Sequence, residues 1–328
     1  MNQRVLGQTG LRVSELGLGG LFVSRHAGVE FEETRRAVRR ALALGVNYFD
    51  TAPTYSNSEE TLGACLDGVT EPFVLSTKLG GRPTPFNPRD KAALRRSFEE
   101  SLRLLRRDRV DILMVHEPDR PGQYDWWDDW ERFRGPVRDF LNDLKSEGLI
   151  RATGLGGTTA YELPRVIASG GFDVVLTAFN YSLLWREAAI AVLPAATRQG
   201  MGVIIGSPLQ QGALARRYDA EIEDGAPWLS PPRREQYRRL YAYVDEIGVP
   251  LPELCLRMVL SNPDVSTVLM GARNLIEVEQ NVAAVENGPL STEVIAQLQE
   301  IADMVPFRPF EEPFGLPFGR DYRGPGMA

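Results

Sequence analysis

The stretch Asp50-Thr51-Ala52-Pro53-Thr54-Tyr55 follows directly on Val46-Asn47-Tyr48-Phe49, a short run of β-branched and aromatic residues. Such a run predicts a buried strand. Pro53 ends that strand because proline lacks the backbone N–H that a sheet requires. Asp50 and Tyr55 are therefore expected where a strand gives way to a loop, and the rest of the chain is organised around this transition.

Polar side chains also end the next two predicted strands. Lys78 closes the run Phe73-Val74-Leu75-Ser76-Thr77, and His116 closes the run from Val110 to Val115. In a parallel barrel the carboxyl ends of successive strands open on one face, and that face carries the chemistry. We therefore expect a carboxylate, a phenol, an ammonium and an imidazole to converge from three consecutive strands.

These four side chains suit proton transfer to an oxygen. A phenol has an ordinary pKa of about 10 and is a poor acid at neutral pH. An ammonium within about 4–6 Å, such as that of Lys78, lowers the pKa of a phenol such as Tyr55, and Asp50 can hold the ammonium in place. The imidazole of His116 can orient a carbonyl oxygen. Since the set contains no clear nucleophile and no metal-binding cluster, it fits a reaction in which the neighbouring carbon receives a hydride from elsewhere.

Strand and helix patterns alternate along the chain. Two extended pieces around Gly7-Gln8-Thr9-Gly10 predict a hairpin, and barrel strands are predicted over residues 14–18, 46–50, 73–78, 110–116, 150–154, 173–177, 203–206 and 267–270. Helices are predicted at 33–44, 57–66, 136–147, 160–169, 186–199, 232–247 and 252–261, with others capped by Asn87-Pro88 and by Asn274. Because no long linker interrupts the alternation, we predict one α/β domain over residues 1–328, a (β/α)8 TIM barrel with an N-terminal β-hairpin and extra C-terminal helices.

A doubly wound dinucleotide-binding sheet is the alternative architecture. It requires a GxGxxG motif that opens a helix directly after a strand. Gly17-Leu18-Gly19-Gly20 is a near match, but residues 21–26 after it lack a helical stripe. We interpret these glycines as a tight turn at the barrel mouth.

Composition and charge argue against several classes of function. The chain has 328 residues and a formal net charge of −7, which disfavours nucleic acids and anionic membranes as partners. Cys65 and Cys255 are far apart with no CxxC motif, so neither a disulfide framework nor a zinc site is predicted. Since the sequence shows no signal-peptide core and no apolar run of membrane-spanning length, we expect a cytoplasmic protein.

At this point the chain resembles the aldo-keto reductase family. The matching segments, in the family's order, are residues 6–14 with Gly17-Leu18-Gly19-Gly20, the DTAPTY stretch with residues 58–63, Ser76-Thr77-Lys78, residues 111–116, residues 206–209, and residues 271–274 with Asn281. The resemblance implies a barrel enzyme that uses a nicotinamide cofactor, with the hairpin as a plug at the barrel bottom. It makes Tyr55 the general acid/base, Lys78 the residue that lowers its pKa, Asp50 the partner of Lys78, and His116 the group that orients the substrate.

The resemblance also implies where the cofactor binds. Residues 206–212 follow the seventh barrel strand, and their glycines and exposed amides can wrap a pyrophosphate, which barrel folds favour at this end. Within this segment the resemblance supports Ser207, Leu209 and Gly212 as contacts.

The adenosine end of the cofactor is expected at the last barrel helix. Gly271 and Asn281 belong to the family pattern, and Arg273 lies at the start of the helix, where an anion is favourable. In the family this position helps to hold the 2′-phosphate. Glu277 replaces a common glutamine and brings a carboxylate close to that phosphate. Weighing the arginine and the helix dipole against one carboxylate favours NADP(H), with NAD(H) as the alternative.

Three departures from the family concern the nicotinamide. A Ser-Asn pair common after the fifth strand is Gly156-Gly157, and a glutamine common after the sixth is Ala178. Both usually touch the nicotinamide amide, so Thr158 and Asn180 become the candidates for that contact. An aromatic residue that often stacks under the ring is replaced by Gly206.

The loop after His116 contains clustered indoles, among them Trp126 and Trp127. Loops at this face select the substrate, and indoles give flat apolar walls for sugar faces or aromatic rings. The alternative is that they pack against neighbouring helices. Phe22 and His26, after the first barrel strand, are further candidates for the pocket, although His26 also fits an exposed loop position.

These observations predict an NAD(P)-dependent oxidoreductase that interconverts an aldehyde, ketone or sugar carbonyl with an alcohol. An NAD-linked aldose dehydrogenase is the alternative among enzymes. The resemblance also allows a cofactor-binding regulatory subunit of the channel β-subunit kind. The tail over residues 306–328 is expected to form either a lid or a loose end. The small-molecule substrate, the direction of the reaction and the oligomeric state stay open at this point.

Overall fold

The fold is a closed parallel barrel. The computed structural model describes residues 1–309, 312–313 and 315–320, in which the strands are β1 (Gln3–Val5), β2 (Arg12–Ser14), β3 (Leu16–Gly19), β4 (Tyr48–Asp50), β5 (Val74–Leu79), β6 (Ile112–His116), β7 (Ala152–Gly157), β8 (Val174–Ala178), β9 (Gly202–Gly206) and β10 (Thr267–Met270). Strands β3 to β10 pair in chain order and close between β10 and β3, while β1 and β2 form a separate antiparallel hairpin. The predicted TIM barrel and N-terminal hairpin are confirmed.

Helices connect the strands on the outside of the barrel. In the described residues they are α1 (Phe31–Ala43), α2 (Ser58–Leu66), α3 (Lys91–Leu105), α4 (Pro136–Ser146), α5 (Leu163–Ala168), α6 (Glu187–Ile190), α7 (Val192–Arg198), α8 (Asp219–Asp224), α9 (Pro231–Ile247), α10 (Leu251–Leu260), α11 (Leu275–Glu286) and α12 (Thr292–Asp303). Asn274 caps α11 as predicted, because its side chain accepts a hydrogen bond from the backbone N–H of Glu277.

The start of α3 differs from the sequence pattern. Asn87-Pro88 does not cap the helix, because the Asn87 side chain accepts a hydrogen bond from the N–H of Arg89 and forms a local turn instead. The cap is Asp90, whose carboxylate accepts from the N–H of Ala92 at 2.8 Å. Two residues of good capping type stand three positions apart, and the second one begins the helix.

The first barrel strand and its glycines also differ from the prediction. Ser14 belongs to the hairpin, where it pairs with Gln3, and the barrel strand begins at Leu16. Gly17 lies inside this strand rather than in a turn at the mouth, and a Cβ atom there would lie 2.7 Å from the Tyr48 ring. Close packing against β4, rather than a change of direction, therefore requires that glycine.

Three other boundaries differ from the prediction. The strand predicted at 150–154 runs over Ala152–Gly157, since it keeps pairing with β6 and β8. The helix predicted at 186–199 is divided into α6 and α7, because the backbone at Ala191 leaves the helical region with φ −133°. The helix predicted at 160–169 begins only at Leu163.

The hairpin closes the amino-terminal end of the barrel. Leu6, Leu11 and Val13 form a buried cluster with residues that lie at the starts of the barrel strands, including Tyr48 and Ile112. Gly7 fits against the backbone of β9, since a Cβ atom there would lie 2.2 Å from the nitrogen of Gly202. The opposite end, where the carboxyl ends of the strands lie, is left for the functional groups.

The C-terminal tail packs against the segment that follows β9. The Phe318 ring stacks on Tyr218 with centroids 4.5 Å apart, and it also contacts Trp228 and Tyr237. Residues 310, 311, 314 and 321–328 of the predicted tail lie outside the described residues, and its role as a lid stays a prediction. Within the described residues, none of the helices has the length and apolarity needed to cross a membrane.

Candidate active site

The four residues predicted from the strand ends come together at the barrel mouth. Asp50 ends β4, Lys78 lies in β5, His116 ends β6, and Tyr55 lies in the loop after β4. The ammonium of Lys78 lies 2.6 Å from Asp50 Oδ2 and 4.8 Å from the centroid of the Tyr55 ring. The rings of Tyr55 and His116 meet edge to face with centroids 5.8 Å apart. The ammonium is thus held between a carboxylate and a phenol.

Two residues that the sequence reasoning missed hold Asp50 in place. Ser76 pairs with Asp50 across β4 and β5, and its hydroxyl donates to Asp50 Oδ1 at 2.7 Å. The hydroxyl of Tyr48 lies 2.9 Å from Ser76 Oγ. Since side chains alternate along a strand, Tyr48 and Asp50 share the inner face of β4, as Ser76 and Lys78 share that of β5. That two-residue spacing was a signal available in the sequence.

Burial dominates the protonation of this site. It raises the pKa of Tyr55 above its ordinary value, and the charge and hydrogen bond of Lys78 counteract this only in part. It also lowers the pKa of His116 to about 3, and the charge of Lys78 acts in the same direction. Burial opposes the charge on Lys78 itself, yet Asp50 and Tyr55 raise its pKa. The predicted lowering of the phenol's pKa by Lys78 is therefore present but outweighed by burial.

His116 is a neutral imidazole in a fixed orientation. Its Nδ1 lies 3.4 Å from Thr54 Oγ1, and its backbone oxygen accepts a hydrogen bond from Trp126 Nε1 at 2.9 Å. A pKa of about 3 keeps the ring uncharged throughout the physiological range. It can therefore donate a hydrogen bond to a substrate oxygen without competing with Tyr55 as a proton donor.

Replacing Lys78 with methionine should move the pH–rate profile to higher pH. The change removes the ammonium that lowers the pKa of Tyr55, so that pKa should rise further. The limb of the kcat/KM profile that reports loss of the phenolic proton should move with it. Lys78→Arg keeps the positive charge and should leave the limb closer to its wild-type position. A limb that stays in place in Lys78→Met would rule out this electrostatic role.

The indoles after His116 support their loop from inside. Trp126 and Trp127 are fully buried. Trp127 Nε1 donates to the oxygen of Pro118 at 2.8 Å, and Trp126 packs against Phe86 and Tyr124. Neither indole has exposed surface to offer a ligand, so the expectation that they form open pocket walls is corrected in favour of the packing alternative. Tyr124 and Phe86 lie at the more exposed side of this aromatic cluster.

Phe22 and His26 occupy different places beyond β3. The Phe22 ring covers Gly271, because a Cβ atom on that glycine would lie 2.9 Å from the ring. Phe22 is thus beside a predicted cofactor residue rather than among the four catalytic candidates. His26 is exposed in a short 3-10 helix over Arg25–Ala27, whose N-cap is Ser24. Their roles in a substrate pocket stay predictions.

The predicted cofactor residues lie at the ends of two adjacent strands. Ser207, Leu209 and Gly212 follow β9, whereas Gly271 follows β10, which pairs with β9. Ser207 and Gly212 both adopt positive φ values, +53° and +105°, so the segment folds tightly back on itself. The hydroxyl of Tyr218 donates to the oxygen of Gly212 at 3.0 Å. A tight loop with this backbone fits a chain that wraps a pyrophosphate.

Arg273 and Glu277 are bound to each other. Arg273 Nη2 lies 2.8 Å from Glu277 Oε1, and the backbone N–H of Arg273 donates to Oε2 at 2.8 Å. Asn281, one turn further along α11, points its amide toward the sulfur of Met270 at 3.9 Å. The carboxylate that the sequence places near the cofactor is thus the direct partner of the arginine.

Thr158 and Asn180, the residues predicted to contact the nicotinamide amide, are hydrogen-bonded to each other. Asn180 Nδ2 donates to the oxygen of Thr158 at 2.7 Å. The Thr158 hydroxyl donates to Glu117 Oε2 at 2.6 Å, and its N–H donates to Asp119. Gly156 and the rest of the end of β7 supply no side-chain donor there. A contact of Thr158 or Asn180 with a cofactor stays a prediction.

Comparison with known proteins identifies relatives over almost the whole chain. The sequence model described as the aldo/keto reductase family matches residues 15–303. L-galactose dehydrogenase from Arabidopsis thaliana is 32% identical over 315 residues, which cover 92% of this chain and 94% of the relative. D-threo-aldose 1-dehydrogenase from Pseudomonas sp. is 29% identical, with 83% of this chain and 89% of the relative covered.

A solved structure has the same architecture. The holo form of an aldo-keto reductase from Bacillus halodurans superposes with a TM-score of 0.75 and 27% sequence identity, covering 95% of this chain and 100% of that one. The structural match therefore extends over nearly all of this chain.

Proposed function

The chain belongs to the aldo/keto reductase family, and we propose that it transfers a hydride between a nicotinamide cofactor and a carbon–oxygen group of a small substrate. One observation carries this proposal: the buried Lys78–Asp50 pair lies beside the phenol of Tyr55 and the neutral imidazole of His116. This set can move a proton to or from an oxygen and can orient that oxygen, as the interconversion of a carbonyl and an alcohol requires.

The four residues divide the proton transfer among them. In the reductive direction His116 donates a hydrogen bond to the carbonyl oxygen, and Tyr55 gives that oxygen its proton. Lys78 then stabilises the phenolate, and Asp50 keeps the ammonium in position. In the oxidative direction Tyr55 takes the proton from the hydroxyl. The cofactor, when bound, supplies or accepts the hydride. Ser207, Leu209 and Gly212 would hold its pyrophosphate.

The names of the two relatives compared above favour a sugar as the substrate. Both are described as dehydrogenases of sugars, one of L-galactose and one of D-threo-aldoses. Oxidation of an aldose at its first carbon uses the same hydride and proton transfers as carbonyl reduction. We therefore propose aldoses as the substrate class, with reduction of small aldehydes and ketones by the same site.

Turnover of defined substrates tests this function. Aldoses and small carbonyl compounds would be screened with both cofactors, in both directions, at the nicotinamide absorbance. Steady turnover of at least one aldose is expected. Cofactor binding without turnover of any substrate would instead favour the regulatory subunit.

We propose that the preferred cofactor is NAD(H). The sequence alone treats Arg273 as a cation available to a 2′-phosphate, but its guanidinium is already bound by Glu277. A 2′-phosphate placed there would meet a carboxylate as well as an arginine. A ribose 2′-hydroxyl can instead donate to the carboxylate, as it does to acidic residues in other NAD-binding folds. NADP(H), which the sequence favours, becomes the alternative.

Replacing Glu277 with glutamine should shift the cofactor preference toward NADP(H). The change frees Arg273 to bind the phosphate, and a hydrogen bond between charged groups is worth about 1.5–3 kcal/mol, or roughly ten- to a hundredfold in affinity. Affinity for NADPH should rise by this factor, and affinity for NADH should fall. Fluorescence titrations of both cofactors check this. The control, Arg273→Ala, should change NADH binding by less than about threefold. If the wild type binds NADPH more tightly and Arg273→Ala weakens only that binding, the NADP(H) assignment holds instead.

The location in the cell is also proposed from chemistry. Both cysteines are buried and unpaired, and burial raises the pKa of the Cys65 thiol to about 11. Inert free thiols of this kind fit a reducing cytoplasm.

A further inference from the structure

Glu117 is a partly buried carboxylate at the site for which the reaction above has no use. It follows His116 directly, and its side chain is 13% exposed. Its φ is +52°, a left-handed conformation that residues other than glycine adopt rarely. Its N–H donates to the oxygen of Gly156 at 2.8 Å, which fixes it where β6 and β7 end. The backbone thus holds this side chain at the mouth in an uncommon conformation.

One oxygen of the Glu117 carboxylate is occupied and the other is free. Oε2 accepts a hydrogen bond from the Thr158 hydroxyl at 2.6 Å and lies 3.7 Å from Arg120 Nη1. Among the described residues no donor reaches Oε1, and this atom is not among the buried polar atoms that lack a partner. Oε1 therefore keeps contact with open space, while the side chain is held in place by its other oxygen.

The Glu117 carboxylate lies within electrostatic range of Tyr55 and Lys78. Burial is the main cause that raises the pKa of Tyr55, and the negative charge of Glu117 adds a smaller effect in the same direction. Burial also raises the pKa of Glu117, while the Thr158 hydrogen bond and the charges of Arg120 and Lys78 act to lower it. Gly156 and Gly157, beside it on β7, carry no side chain that could donate to the carboxylate. A ligand at the mouth can therefore donate a hydrogen bond to Oε1 in place of solvent.

We propose that Glu117 determines substrate specificity by accepting a hydrogen bond from a hydroxyl of the substrate near its reacting carbon. This inference rests on the proposed function. It narrows the substrate class of that site to neutral polyhydroxylated carbonyl compounds such as aldoses. In its ionised form the Glu117 carboxylate is only an acceptor, so it selects hydroxyl groups and repels substrates that carry a carboxylate or a phosphate. Its contacts with Gly156 and Thr158 hold Glu117 at the ends of β6 and β7, the same mouth of the barrel at which His116 lies.

The test compares two substrates in three enzymes. The wild type, Glu117→Gln and the control Arg120→Gln are assayed with the best aldose from the screen and with n-hexanal, which has no hydroxyl. Glutamine keeps the volume of Glu117 and removes its charge, whereas Arg120 lies on the exposed side of the same carboxylate. In Glu117→Gln, kcat/KM for the aldose should fall about ten- to a hundredfold, and that for hexanal should change less than about threefold. Arg120→Gln should change neither by more than about threefold.

Other outcomes separate the two proposals. Equal losses on both substrates in Glu117→Gln, or no loss on either, overturn the inference but leave the proposed function standing. If Glu117→Gln raises only the Kd for NADH, Glu117 holds the nicotinamide amide instead. That result would also overturn the inference. If the screen finds no aldose or carbonyl compound that the wild type turns over, the proposed function fails and this inference fails with it. Circular dichroism and a thermal unfolding midpoint show whether Glu117→Gln is folded, and a second variant, Glu117→Ala, should reproduce the selective loss.

Discussion

Replacing Tyr55 with phenylalanine should lower kcat by at least about 10²–10⁴-fold while the cofactor still binds. The change removes the phenolic hydroxyl beside Lys78 and little volume, so the substrate oxygen loses its proton donor. Because burial keeps the pKa of Tyr55 above its ordinary value, the phenol is protonated throughout the neutral range. The loss in the reductive direction should therefore be nearly constant between about pH 6 and 9.

Tyr48→Phe provides a matched control for this substitution. Tyr48 is a buried phenol in β4, and among the described residues its hydroxyl reaches only Ser76, which in turn binds Asp50. Losing one hydrogen bond of about 0.5–1.5 kcal/mol at that distance should lower kcat by less than about tenfold. Single-turnover rates would ensure that the chemical step is measured. Wild-type rates in Tyr55→Phe, or equal losses in both variants, would exclude Tyr55 as the proton donor.

The arrangement of the catalytic candidates could be predicted because it depends on local features. A polar residue at the end of an apolar run is visible in one dimension, and the parallel barrel brings such ends together without further information. Asp50, Lys78 and His116 therefore meet as the sequence indicates. Ser76 lies two residues before Lys78 on the same face, and its role becomes visible only when β4 and β5 are paired.

The energetic balance within the site could not be read from residue types. Proximity of Lys78 to Tyr55 predicts a lowered pKa, whereas the degree of burial, which is a property of the whole fold, reverses the net effect. Arg273 and Glu277 are four residues apart at a helix start, so the sequence permits their contact but does not require it. Trp126 and Trp127 are equally compatible with an open wall and a closed core, and only the packing of their loop decides.

A buried ion pair holds the C-terminal tail, and breaking it should strongly destabilise the protein. Arg233 Nε lies 2.9 Å from Glu312 Oε2, and neither side chain has exposed surface. The Arg233 guanidinium also lies 4.5 Å above the Trp185 ring and donates to Gln236 at 2.5 Å. Removing one partner of such a pair leaves an uncompensated buried charge, which costs about 3–5 kcal/mol. Glu312→Gln should lower the free energy of unfolding by this amount in urea titrations.

The double variant Arg233→Met/Glu312→Gln provides the control. It removes both charges, and a buried pair without charges is often as stable as the pair itself. The double variant should therefore be more stable than Glu312→Gln alone. Arg233→Met should be less damaging than Glu312→Gln, because the charge of Glu312 also acts on Arg308, which lies 5.5 Å from the Trp185 ring. Strictly additive losses in the double variant would contradict the coupling.

Detachment of the tail would limit how far Glu312→Gln lowers the free energy of unfolding. If the tail detaches in Glu312→Gln, Arg233 regains contact with water, so the loss cannot exceed the free energy with which the tail docks. Detachment would also release Phe318 from Tyr218, whose hydroxyl holds the oxygen of Gly212 in the predicted pyrophosphate loop. Glu312→Gln should then be cleaved in its tail at protease concentrations that leave the wild type intact, and its Kd for the cofactor should rise. The alternative is that the tail of Glu312→Gln stays resistant to protease while the free energy of unfolding falls by the full amount. In that case the tail remains docked, and Arg233 stays buried without a partner for its charge.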